Sequence, residues 1–159
     1  MADDTFASRS IVQVHKKGEH LNRYQWKANS TDIKPGYVVT HLGETADTNY
    51  IDLATGGEEP LGIVLDYVRN ANASNAPRNL DAASIADEAM WVQQLGSGTE
   101  YVYAFMIAGA ATSKKGQKVV PAAEEGKVTS GTTAGMIVGE LAEDYTQDNT
   151  DDTLVLLKV

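Results

Sequence analysis

The chain has no cysteine. That removes disulfide frameworks, thiolate zinc sites and cysteine nucleophiles together. It is also short of positive charge, with 13 Lys and Arg against 22 Asp and Glu and a formal net charge of −9. Binding to nucleic acid or to an anionic membrane surface rests on the opposite balance, so neither partner is expected. The excess of acid reads as solubility. No apolar run approaches the roughly 18 residues of a membrane helix. Residues 1–10 are polar, include Asp3 and Asp4, and lack the apolar centre of a secretory signal.

Catalytic and ligand-binding signatures are absent as well. His15, His20 and His41 show no His-Glu-x-x-His or other compact ligand spacing, so no metal site is expected. Gly96-Ser97-Gly98 and Ser130-Gly131 do not supply the Gly-x-Ser-x-Gly elbow of a serine hydrolase and read as turns. Gly56-Gly57 is not followed by Lys-Ser/Thr, and no phosphate loop is present. Asn29-Ser30-Thr31 and Asn72-Ala73-Ser74 match the glycosylation triplet, but without a secretory signal they read as chance matches. No catalytic residue and no cofactor are expected, and the chain does not read as an enzyme. The stretch with Glu140, Glu143, Asp144, Asp148, Asp151 and Asp152 leaves two readings open. It is a solvated loop, or it holds a structural calcium or magnesium ion without the spacing of an EF-hand.

What the chain does have is a motif that appears twice. Lys34-Pro35-Gly36-Tyr37-Val38-Val39 is followed by Pro60-Leu61-Gly62-Ile63-Val64. Lys114-Lys115-Gly116-Gln117-Lys118-Val119-Val120 is followed by Ile137-Val138-Gly139-Glu140-Leu141. Each copy reads as a polar turn with a glycine, a short apolar strand, a variable loop and a returning strand that contains a glycine. Further strands are expected over 11–15, 21–28, 49–53, 90–95, 101–108 and 154–159, from β-branched residues, aromatics and period-two alternation. Residues 96–100 have the length and glycines of a hairpin loop joining two of them. The Asn-rich segment after Arg69 reads as a long exposed loop, and the Ala-rich residues 81–90 as a short helix.

These elements predict an all-β fold: a small β-barrel or β-clip-like roll with one short helix and an N-terminal arm. The arm covers residues 1–14 and a single β domain covers 15–159. The two motif copies are expected to pack into one barrel. Tyr24 and Trp26 share one strand face. So do Tyr101, Tyr103 and Phe105, with Trp91 on the expected hairpin partner. These aromatics serve as core and cross-strand packing, or as a subunit interface, where Tyr and Trp are enriched.

Several landmarks taken in order carry a resemblance. They are the segment from Asp32 to Val39, Glu59-Pro60-Leu61-Gly62-Ile63-Val64, the strand ending at Ala108-Gly109-Ala110, Lys114-Lys115-Gly116, Val119-Val120-Pro121, Val138-Gly139-Glu140-Leu141, and the final strand 154–159. Over residues 30–159 the chain resembles the capsid decoration, or head-stabilising, proteins of tailed phages and archaeal tailed viruses, including the kind with a β-tulip fold. The longer N-terminal segment and the insertion at 69–90 depart from that pattern.

The resemblance implies a virion protein on the outer capsid surface. It implies a homotrimer that clamps neighbouring major capsid protein subunits and stabilises the head. The arm residues Phe6, Arg9, Ile11, Val12 and Val14 would add a strand to a coat-protein sheet edge. Tyr24, Trp26, Trp91, Tyr101 and Tyr103 would lie at the subunit interface. Two other classes fit the same residues: a β-clip-type module that binds a ligand or a protein, and a tail or coat structural component.

Overall fold

A computed structural model describes residues 13–14, 23–42, 49–67, 84, 88–96 and 98–159. Among these residues the chain forms eleven strands and no helix. They are β1 (Gln13–Val14), β2 (Arg23–Ala28), β3 (Val38–His41), β4 (Tyr50–Leu53), β5 (Gly62–Tyr67), β6 (Ala89–Gln94), β7 (Tyr101–Met106), β8 (Lys118–Pro121), β9 (Val128–Ser130), β10 (Gly139–Leu141) and β11 (Thr153–Lys158).

Strands β2 to β6 close into a barrel in the order β2-β4-β3-β5-β6. Strands β7 to β11 follow the same circuit. β7 pairs with β11, β11 with β10, β10 with β8 and β8 with β9. β9 returns to β7 through the parallel pair Val128–Met106. Each circuit therefore runs first strand, fifth, fourth, second, third, and back to the first. β1 lies outside this scheme, antiparallel on β7, with Gln13 opposite Val102 and Val14 opposite Tyr101.

The two circuits match residue by residue. Val39 faces Gly62 as Val119 faces Gly139. Val39 faces Leu53 as Val119 faces Ser130. Arg23 faces Gln93 as Tyr101 faces Lys158. The turns agree in the same detail. The Tyr37 N–H donates to the Lys34 carbonyl at 3.1 Å, and the Gln117 N–H to the Lys114 carbonyl at 3.0 Å. The Gly36 N–H donates to Val64 and the Gly116 N–H to Leu141, at 2.8 and 2.7 Å. Gly36 and Gly116 both have positive φ, 87° and 84°, which this turn needs at its third residue and which glycine adopts without a Cβ clash.

The glycines in the returning strands have a different reason. A Cβ at Gly62 would strike the Gln93 carbonyl oxygen and Val92, and one at Gly139 would lie 2.7 Å from the Lys158 carbonyl oxygen. At both places the neighbouring strand passes too close for any side chain.

One hydrophobic cluster runs through both circuits and includes Ile33, Val38, Ile51, Ile63 and Met90 from the first and Val102, Met106, Val119, Leu141 and Leu157 from the second. The circuits are also joined through backbone. Phe105 donates to the Gly36 carbonyl at 3.2 Å, Val38 to Gly126 at 2.7 Å and Gly126 to Ala54 at 2.8 Å. Tyr37 and Phe105 pack edge to face across this seam, 5.6 Å between ring centres.

The all-β class and the barrel agree with the sequence reading, but three details differ. No helix spans 81–90 in the described residues. Ala89 and Met90 open β6, Ser84 and Glu88 are irregular, and the other positions lie outside the described residues. Met90 is fully buried and paired to Trp26, so packing overrides the local preference of an Ala-rich stretch.

Residues 96–100 do not close a hairpin. β6 is paired on one edge to β2 and on the other to β5, so it has no edge left for β7. The loop instead carries the chain from one circuit to the next. Finally, the motif copies do not share one barrel. Each supplies the middle three strands of its own circuit and closes it with the strand before and the strand after.

Candidate functional site

The seam between the circuits holds a concave feature. An open cleft of about 420 Å³ is lined by Asp32, Lys34 and Tyr37 from the first circuit and by Glu124, Glu125 and Lys127 from the second. Lys127 is its best-anchored charge. Its ammonium pairs with Asp152 at 2.6 Å and with Glu124, and its side chain is only 12% exposed. Burial opposes the charge, but the hydrogen bonds that Lys127 donates to Asp152 and Glu124 outweigh it and hold its pKa above the ordinary 10.5. Burial pushes the Tyr37 phenol above its ordinary 10.0, against the pull of Lys127. Asp152 also accepts the Ala108 N–H at 3.0 Å. One carboxylate thus ties the start of β11 to the end of β7 and to the turn that carries Lys127.

The acidic stretch is organised by its own carboxylates. Asp144 accepts from the Lys115 N–H and the Lys114 ammonium, both at 2.9 Å. Its pKa is lowered, first by the backbone hydrogen bond from Lys115 and then by the one from Lys114. Asp148 accepts from the N–H and the hydroxyl of Thr150 and from the Asp151 N–H. Its pKa is lowered, first by the Thr150 backbone bond. These are turn-forming bonds. Among the described residues no group of three or more His, Asp or Glu is placed to hold a metal ion.

The residues singled out from sequence do not form one patch. Phe6, Arg9, Ile11 and Val12 lie outside the described residues. Val14 belongs to β1, whose backbone is paired to Tyr101 of the same chain. Tyr24, Trp26 and Trp91 belong to the first circuit, Tyr101 and Tyr103 to the second. Along β2, exposure rises from Ala28, fully buried, through half-buried Trp26 to Tyr24, which is 51% exposed. Trp26 packs edge to face on His41 at 5.5 Å, and its indole N–H is enclosed without a hydrogen-bond partner. Trp91, Tyr103 and Phe105 pack at the margin of the core.

Sequence reasoning missed the seam cleft. Its residues come from three separated stretches, 32–37, Leu53 and 124–127, and no local spacing announces them. The pairing of Lys127 with Glu124 three residues earlier was the one local hint.

No protein-family model matches the chain, and no curated protein matches it. Among solved structures, a chain of the structure described as "The capsid of Myoviridae Phage XM1" is similar to it. The TM-score is 0.49 and the identity 18%, over 91% of this chain and 86% of that one. Similarity at that level assigns no function.

Proposed function

We propose that this is a viral structural protein that decorates the outer surface of an assembled capsid as a trimer and clamps neighbouring coat subunits. The observation that supports this reading is the duplication. The residues that carry the family resemblance, Gly36 with Gly62 and Gly116 with Gly139, are the ones that build the same strand unit twice. They are scaffold residues, and the reading assigns the protein no reaction.

The mechanism is mass action. A protein that binds the expanded shell and no other state stabilises that shell by its binding free energy. Three copies joined together make each weak coat contact effectively intramolecular once the first has formed. The acidic chain suits an outer face better than a face against packaged DNA.

The test is sedimentation of the purified protein with heads that lack it. Saturable binding to expanded heads, with none to unexpanded ones, is expected. Light scattering coupled to size exclusion is expected to give a trimer mass. The seam cleft favours a second reading, a β-clip-type module that binds a small ligand between Tyr37 and Lys127. That reading predicts a monomer and no binding to heads.

A further inference from the structure

Among the described residues, β2 and β7 differ in what lies along their outer edges. In β7, the edge away from β11 has partners at both ends. The Ile107 N–H just beyond the strand bonds to Val128, Phe105 bonds to Gly36, and β1 lies against Tyr101 and Val102. In β2, the equivalent edge is covered, among the described residues, only at its end. The Lys27 N–H donates to Asn49 and the Asn29 N–H to Ile51, both at the outer edge, while the Ala28 N–H points the other way to Glu88 beside β6. Alternation places the N–H groups of Arg23 and Gln25 at that outer edge. Among the described residues no strand lies there, because β4 begins opposite Lys27. The consequence is visible in burial. Val102 is fully buried beneath the β1 side of β7, whereas its counterpart Tyr24 is 51% exposed. Tyr24 is the one large hydrophobic residue exposed among the described residues.

We propose that the open end of β2 is a strand-acceptor site, filled by the N-terminal segment 1–12 of a second copy of this chain. The other circuit indicates what fits, since its equivalent slot holds an extended piece of this same N-terminal region. Residues 1–12 precede β1, and when extended they span up to about 40 Å. They offer Phe6 to cover Tyr24. A slot on one face and a strand elsewhere on the same chain make a contact between unlike surfaces, which three copies can close into a ring. The inference rests on the trimer proposed above and gives the segment a partner other than a coat-protein edge.

The test uses the absence of cysteine. Full-length chains with a single cysteine at Thr5, Ala7 or Ser10 are mixed with chains carrying Gln25→Cys and oxidised. A two-chain disulfide adduct is expected from at least one mixture. A cross-link that forms only within one chain of the double variants, or none at any position, overturns the proposal. In parallel, removal of residues 1–10, Gln25→Pro and Tyr24→Ser are each expected to convert the trimer to a monomer by light scattering, with an unchanged far-ultraviolet spectrum. Gln25→Pro deletes an N–H that the β2–β6 ladder does not use, and Tyr24→Ser leaves the backbone intact in case the proline disturbs folding. A trimer that survives all three changes defeats the acceptor site and leaves the decoration reading standing. A wild-type monomer overturns both the acceptor site and the proposed trimer.

Discussion

Tyr24 and Val102 stand at the same position of two matching circuits, one half open to solvent and the other fully buried. The circuits share their strand order, register and turn hydrogen bonds, and differ in what is attached to them. The second carries β1 on its first strand and a compact acidic connection, residues 142–152, between its fourth and fifth strands. In the first, the same connection is the longer Asn-rich stretch 68–88, anchored where Ser84 donates its hydroxyl to Ser30 and bonds Ile33 through both backbone and side chain. The same frame is built twice. The different attachments give the halves different surfaces, and function is expected in those differences.

The comparison can be broken hardest at the shared close approach. Gly62→Ala places a methyl group against the Gln93 carbonyl, and Gly139→Ala places one against Lys158 with a little more room. Backbone on both sides cannot yield cheaply. Gly62→Ala is expected to cost about 3 kcal/mol or more and Gly139→Ala somewhat less, both measured by urea unfolding. Equal and negligible effects would remove the close-packing account of both glycines.

Lys127 has no counterpart in the first circuit, where Tyr50 takes its place. Lys127→Met leaves Asp152 and Glu124 without their cation at the seam and is expected to cost about 2 kcal/mol near neutral pH. The raised Lys127 pKa sets the sign at high pH. Its contribution is fully present below 10.5 and is lost as pH rises through the higher folded value. The gap between variant and wild type should therefore narrow in strong alkali.

The turn glycines sharpen the comparison further. Gly36 and Gly116 share a positive φ, but only Gly36 has a neighbour, with the Phe105 ring 3.0 Å from an added Cβ. Gly116→Ala should cost about 1 kcal/mol from backbone strain alone, and Gly36→Ala more, by thermal unfolding.

The smallest effect belongs to the acidic connection. Asp148→Asn is expected to lower the midpoint of thermal unfolding slightly at pH 7. Because the folded pKa of Asp148 lies below its ordinary 3.8, its contribution is present above that value and fades as pH falls through the folded one. The difference between variant and wild type should vanish in strong acid.

Much of this frame was legible in the sequence, for particular reasons. Gly36, Gly62, Gly116 and Gly139 are demanded by turns and close approach, so the middle three strands of each circuit left a visible repeat. β2 and β7, and β6 and β11, share register but no residues that the backbone requires. Their side chains diverged freely, and the repeat appeared to end at the motif. The hairpin expected at residues 96–100 failed because edge availability is a property of the whole sheet. The seam cleft stayed hidden because Asp32, Tyr37, Lys127 and Asp152 meet only after both circuits have closed.

The most direct test of the central claim is the amount of purified protein bound to expanded heads that lack it, measured by sedimentation against increasing protein. The decoration reading predicts saturation at a fixed ratio to coat protein, bound mass in multiples of three chains, and heads that resist heat better once saturated. Binding that never saturates, or none to expanded heads, would contradict it.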